Sequence, residues 1–213
     1  MDPSRSRLLA CAAVPPTSPP RLILASASPR RRELLRLYGL PFTVRISRVP
    51  EIARPGERPT ELACRLARAK AGAVAASLRR PAWVLGCDTV VVRGRQVLGK
   101  PSGRADAARM LGLLAGRWHT VVSGVALEPV GLPGARTLSG FRRTRVRWDR
   151  LEARHLAWLL ASGEHRDKAG AYAAQGRAAV FLRDLRGTYT NVLGLPLDLT
   201  TRLLARAGYD PAT

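Results

Sequence analysis

Acidic residues are scarce in this 213-residue chain: 15 Asp and Glu stand against 36 Lys and Arg, a formal charge of +21. An imbalance of that size attracts polyanions, whether nucleic acid, an anionic membrane or a phosphate-bearing substrate. The abundance of Arg, Ala and Gly is also what a GC-rich genome produces, so charge alone does not choose a function. Cysteines number three. Cys11, Cys64 and Cys87 are odd in number and far apart, which excludes a disulfide framework and a metal-binding cysteine pair and points to a reducing, cytoplasmic setting. Aromatic residues make up only 5%, too few for a stacking platform for single-stranded nucleic acid. No apolar run approaches the ~20 residues of a membrane helix. His119, His155 and His165 lack metal-ligand spacing, and neither a Walker loop nor a G-x-S-x-G elbow is present.

Lysine is the most telling scarcity. Of the 36 cations, 33 are arginine; Lys70, Lys100 and Lys168 are the exceptions. A chain that uses arginine wherever any cation serves marks these three positions as places for a compact ammonium on a flexible stem.

Hydrophobic residues make up 46%, enough for a sizeable core, and the length suits one domain. Residues 1–20 read as an N-terminal extension without regular structure, because Pro15, Pro16, Pro19 and Pro20 break any helix and nothing alternates. Residues 21–210 read as one α/β domain. Leu22–Ala25 is a buried strand; Ser28 and Pro29 cap and open a helix that runs to Tyr38, before Gly39. Phe42–Ser47 alternates as a strand. Thr60 is expected to cap a helix reaching Arg79. Trp83–Val92 is a strand, turned at Gly94 into a hairpin with Gln96–Leu98. A helix over 104–115, strands over Trp118–Leu127 and Gly140–Trp148, and a helix over Leu151–Ala161 follow. A hairpin near Arg186–Gly187 and a helix over Leu199–Ala207 complete the chain. Helices alternating with strands, mixed with hairpins, imply a mixed sheet.

Five places carry chemistry. Ser26-Ala27-Ser28-Pro29-Arg30-Arg31 joins a strand to a helix start, where free N–H groups and the helix dipole favour an anion. Two guanidiniums in the first turn oppose that dipole unless an anion accompanies them. Lys70 lies in the row Leu62, Leu66, Lys70, Val74, Leu78 on the apolar face of its helix, where an unpartnered charge is costly; snorkelling to water is the plain alternative. Asp88 sits in the apolar run Trp83–Val92, against aspartate's preference. Either it satisfies a turn at the strand end, or it is paired, metal-bound or catalytic. Leu98-Gly99-Lys100-Pro101 places a lysine at a hairpin end. Asp167-Lys168-Ala169-Gly170-Ala171-Tyr172-Ala173-Ala174-Gln175-Gly176 is a small-residue loop carrying a cation, a phenol and an amide; Gln175 can both donate to and accept from a base edge.

Together, in this order, these pieces resemble the Maf family of nucleotide pyrophosphatases. The likeness runs from Leu22-Ile23-Leu24-Ala25-Ser26-Ala27-Ser28-Pro29-Arg30-Arg31 through Arg65–Ala71, Gly86-Cys87-Asp88-Thr89-Val90, Gly99-Lys100-Pro101 and Asp167–Tyr172 to Asn191-Val192-Leu193-Gly194-Leu195-Pro196. It implies an elongated, two-lobed α/β fold with a central mixed sheet, like the inosine triphosphate pyrophosphatases. It also implies metal-dependent cleavage of a nucleoside triphosphate between its α and β phosphates, with Mg2+ or Mn2+ as cofactor. Carried over by motif, Asp88 is the proton acceptor, and Glu51, after Val49-Pro50, helps it hold metal. Lys70 joins them as a catalytic residue. Ser26, Ser28, Arg30, Arg31, Lys70, Lys100 and Lys168 face substrate, and Arg30, Thr89 and Gln175 bear on substrate choice. The resemblance leaves open whether Asp88 is base, metal ligand or both. Asp88-Thr89 and Tyr172…Gln175-Gly176 match the dTTP/UTP branch rather than the 7-methyl-GTP branch. Ala173-Ala174 departs from the common Gly-Ile, and Cys87 from the common alanine. The expected partners are a nucleoside triphosphate and, compatibly, a second copy in a homodimer, with neither membrane nor specific nucleic acid. The family's link to inhibition of septum formation leaves one alternative of another class, a basic nucleic-acid-binding or cell-division regulatory protein with weak catalysis.

Overall fold

A computed structural model describes residues 20–209; the expected extension therefore lies, apart from Pro20, outside the described residues. The order of elements gives an α/β domain around a mixed seven-stranded sheet, β2-β1-β3-β5-β6-β7, with β4 also paired to β3.

β3 (Ala82–Arg93) is the axis of the sheet. One edge pairs antiparallel with β5 (Trp118–Val130) almost end to end, from Ala82↔Val130 to Val92↔Thr120. Its other edge is shared. β1 (Arg21–Leu24) runs parallel to it as far as Leu24↔Leu85, and β4 (Gln96–Leu98) returns antiparallel from Val91↔Leu98. Between Leu85 and Val91 no strand covers that edge. Asp88 lies in the middle of the gap. Open sheets bind ligands at such breaks in strand order, because backbone groups and loop ends converge there.

β2 (Phe42–Val44) lies parallel outside β1, and its register ends at Leu24↔Val44. The expected strand to Ser47 stops there because β1 offers no further partner. β5 and β6 (Leu138–Trp148) are longer than their alternation implies. Pro129 lies past Leu127, the last β5 residue that β6 pairs, so it interrupts no ladder on that side. β7 (Leu182–Arg186) adds to β6, but no return strand follows. Gly187, at φ 129°, leads instead into a short helix, α5 (Tyr189–Val192), so the expected hairpin is absent.

The first helix, α1 (Pro29–Arg36), begins as its Ser-Pro start predicts, with Ser28 as N-cap accepting from the Arg31 amide. α2 (Pro59–Ala75) starts one residue before the expected cap Thr60. Pro59 supplies the preset φ of the first helical position, and Glu61 accepts the Arg58 amide. The helix ends at Ala75, short of Arg79, where the Ser77 hydroxyl takes the Val74 carbonyl at 2.7 Å. Its buried positions, Leu62, Ala63, Leu66, Ala67, Lys70, Ala71 and Val74, form the expected stripe. The helices α3 (Arg104–Leu114), α4 (Ala153–Ala161) and α6 (Leu197–Arg206) complete the layers. One large apolar cluster joins α3 and α4 to Val91, Val121, Val146 and Trp148. A second joins α1 and α6 to Leu24, Leu85 and Leu127.

α2 lies unusually close to the sheet because glycines face it. A Cβ on Gly86 would overlap the Ala67 carbonyl and stand 2.8 Å from the Ala71 amide; one on Gly124 would overlap the Ala63 carbonyl. The contacts are with helix backbone, which cannot swing aside. This approach lets Lys70 reach Asp88. We expect Gly86→Ala to destabilise the fold by at least ~1–3 kcal/mol, the usual cost of overpacking, and to lower activity by displacing Lys70. Gly72→Ala on the same helix, with open space at its Cβ, should be neutral or stabilising. Urea unfolding of both variants checks this; equal midpoints would contradict it.

Candidate active site

Two lysines and two carboxylates meet at the uncovered edge of β3. Lys70 is buried, its side chain 8% exposed, and its ammonium donates to Asp88 Oδ1 at 2.5 Å and to Glu51 Oε1 at 2.6 Å. Lys100, which follows β4, donates to Glu51 Oε2 at 2.7 Å. Lys70 thus faces carboxylates rather than open space. A buried ammonium needs such partners, and the snorkelling alternative does not apply.

The two acids are tuned in opposite directions. Partial burial would raise the Glu51 carboxyl, but hydrogen bonds from Lys100 and Lys70 outweigh it and hold the group at about 2. Burial pushes Asp88 above the usual aspartate range, and the attraction of Lys70 and Arg31 offsets this only in part; the Glu51 charge adds to the rise. The result is a permanent anion beside a carboxylate of increased basicity, the pairing of environments that separates acid–base roles.

The loop from β1 into α1 supplies the cationic side. Ser26 is buried and its hydroxyl accepts the Ser28 amide at 3.2 Å. Arg31 does not face outward with Arg30, as its place in the sequence suggests. Its guanidinium donates to the carbonyls of Cys87 (2.8 Å) and Gly194 (2.9 Å), to Thr89 Oγ1 (3.0 Å) and to Ser26 Oγ (3.3 Å). The Cys87 carbonyl lies on the edge that neither β1 nor β4 covers. Arg31 therefore fills a missing strand's hydrogen bond, and protein oxygens answer its conflict with the helix dipole. Thr89 is turned the same way, its hydroxyl 2.9 Å from Ser123 Oγ.

Arg30 points to the loop after α4. Its Nη1 donates to Gln175 Oε1 at 3.3 Å, while burial and the adjacent Arg31 push its guanidinium pKa downward. Lys168 belongs to the same cationic group; burial and then Arg30 push its ammonium down. The loop is anchored from below. The Gly170 amide donates to the Gly99 carbonyl at 3.0 Å, and a Cβ on Gly170, at φ 68°, would press on Val91. Tyr172 is buried with its hydroxyl 2.8 Å from His119 Nε2. Burial holds His119 at about 4, so the imidazole is neutral near pH 7.

The structure thus gathers Lys70, Asp88, Lys100 and Glu51 at one edge, ties Ser26 to it through Arg31 with Ser28 bonded to Ser26, and sets Arg30 against Gln175 near Lys168. It places Arg31 and Thr89 behind them as framework. His119, read as bland, supports the Gln175 loop through Tyr172. Ser123 and Asn191, which carry no signal of their own, extend the network, Ser123 Oγ donating to the Asn191 carbonyl at 3.1 Å. Among the described residues no group of three His, Cys, Asp or Glu side chains converges to hold a metal. Glu51 and Asp88 are the paired carboxylates available.

A family model described as Maf-like protein matches residues 21–207. A dTTP/UTP pyrophosphatase of Symbiobacterium thermophilum is 49% identical over 190 residues, covering 89% of this chain and 95% of its own. One of Moorella thermoacetica is also 49% identical, covering 89% and 96%, and one of Anaeromyxobacter dehalogenans is 45% identical, covering 89% and 95%. A solved nucleoside-triphosphatase / dITP/XTP pyrophosphatase of Mycobacterium abscessus is 16% identical. It aligns over 62% of this chain and 76% of its own at a TM-score of 0.37, too slight a likeness to carry an argument. With the family model spanning every element of the fold and relatives near half identity along almost their full length, this chain belongs to the Maf family.

Proposed function

We propose that this chain hydrolyses nucleoside triphosphates, dTTP and UTP foremost, to the monophosphate and pyrophosphate. The observation that carries the reading is the buried Lys70 ammonium shared by Asp88 and Glu51, at a strand edge flanked by a helix start, Arg30 and Lys100. The activity named for the relatives agrees with it.

The donor set fits Mg2+ or Mn2+. Both side chains are hard oxygen donors, and an ion of this kind is commonly held by one or two carboxylates together with substrate phosphates and water. Glu51 and Asp88 would hold it, and it would supply neutralisation of the triphosphate charge. The rest is chemistry of the chain's own side chains. Asp88, made more basic by burial, accepts the proton of the water that attacks the α-phosphorus. Lys70 fixes Asp88 and Glu51 in one orientation. The free Arg30 amide at the start of α1, the Arg30 guanidinium and Lys100 face the charge that builds on the departing pyrophosphate. Gln175, held by Arg30, would read a pyrimidine edge with its amide. Thr89 acts on that choice through Arg31, which it bonds. Free Cys64 and Cys87 and a nucleotide substrate suit a cytoplasmic enzyme.

Two outcomes follow. Asp88→Asn keeps the shape and removes the base; pyrophosphate release from dTTP with Mg2+ should fall roughly 100- to 10,000-fold. Near-normal turnover would remove Asp88 from the mechanism. The second concerns acid. Glu51 has a folded pKa of about 2 against an ordinary 4.5. Its contribution to stability is therefore present above about 4.5 and lost as pH falls towards 2. Thermal midpoints followed over that window should fall more steeply for the parent protein than for Glu51→Gln. Parallel curves would contradict the pairing of Glu51 with the two lysines.

A further inference from the structure

Away from the candidate active site, a cavity of about 220 Å³ opens between the end of α2 and the β1–β2 edge, lined by Arg21, Ile23, Arg45, Ser77, Arg79 and Arg80 among others. It shares no residue with the catalytic group. Four arginines line it and no acidic residue does. Eight arginines elsewhere, Arg58, Arg65, Arg109, Arg142, Arg154, Arg183, Arg186 and Arg202, each have an acidic partner; others have none, and what sets these four apart is that they line one hollow together. Among the described residues the side chains of Arg21, Arg45, Arg79 and Arg80 have neither an ion pair nor a hydrogen bond. Cations near a helix C-terminus do complement its dipole, but that effect amounts to about half a charge and fades within a turn. It does not call for four full charges around one hollow.

We propose that this cavity is a second anion site that takes a small polyphosphate of the pyrophosphate class. Guanidinium forks match phosphate oxygens in pairs, and a ligand with several negative charges relieves the repulsion among the four. Its volume, below the about 300–1,000 Å³ of sites that enclose drug-sized molecules, suits a phosphate chain seated in an open hollow. The anion such a cavity fits is the product proposed for the catalytic site, yet the site stands on its own lining and does not depend on that activity.

Calorimetric titration of inorganic pyrophosphate into the metal-free protein tests this. The double variant Arg79→Gln/Arg80→Gln, altered only at exposed positions, should bind one equivalent fewer than the parent, or bind it at least tenfold more weakly, while keeping normal dTTP turnover. A second double variant, Arg143→Gln/Arg145→Gln, removes the same charge from exposed positions of β6 and should bind as the parent does. Unchanged binding in the Arg79/Arg80 variant overturns the proposal. So does an equal loss in both double variants, which would mark the binding as a general effect of charge. Arg21→Gln gives an independent check from β1 and should weaken the same equivalent.

Discussion

The arrangement depends on a single ammonium taken out of water. A lysine buried to the extent of Lys70 is tolerated only with anions at hydrogen-bond distance, and here it has two, from different parts of the chain. Glu51 comes from the segment between β2 and α2, and Asp88 from the middle of β3. Satisfying the lysine therefore fixes the distance between two carboxylates that would otherwise repel. Lys100 restrains Glu51 from its other oxygen. Removing the ammonium would leave Asp88 without its ion pair, beside a Glu51 held by Lys100 alone. Replacing it with arginine would put a planar fork where a point charge fits.

Two backbone features make that contact possible. Glycines 86 and 124 let α2 rest directly on β3 and β5. The exchange of β1 for β4 along one side of β3 leaves a short stretch of edge for side chains and loop ends. Arg31 closes the backbone side of that gap and links it to Thr89 and Gly194. What remains open to a ligand is bordered by the start of α1, Arg30, Lys100 and the acid pair. The loop carrying Gln175 is set opposite by its bonds to Gly99 and His119.

Much of this was legible in the residues. The stripe containing Lys70 and the Ser-Pro start of α1 follow from local rules of spacing and capping, which act over a few residues. The scarcity of lysine singled out Lys70, Lys100 and Lys168, and two of them proved to be joined through Glu51. What was not legible is long-range. Arg30 and Arg31 are adjacent and identical in type, yet one faces Gln175 and the other lies under the strand edge. Only the end of β1 at Leu24 and the end of β4 at Leu98 decide that. The lengths of β2 and β5 likewise depended on their neighbours in the sheet. His119 lacked any pattern because its role depends on Tyr172, 53 residues away.

The most direct test is a crystal structure of the chain with a non-hydrolysable dTTP analogue and Mg2+. The account predicts the α-phosphorus facing Asp88, the β and γ phosphates against Lys100 and the Arg30 guanidinium and amide, and the base beside Gln175. A triphosphate seated elsewhere, with Lys70 still closed on Glu51 and Asp88 and no phosphate near them, would contradict it.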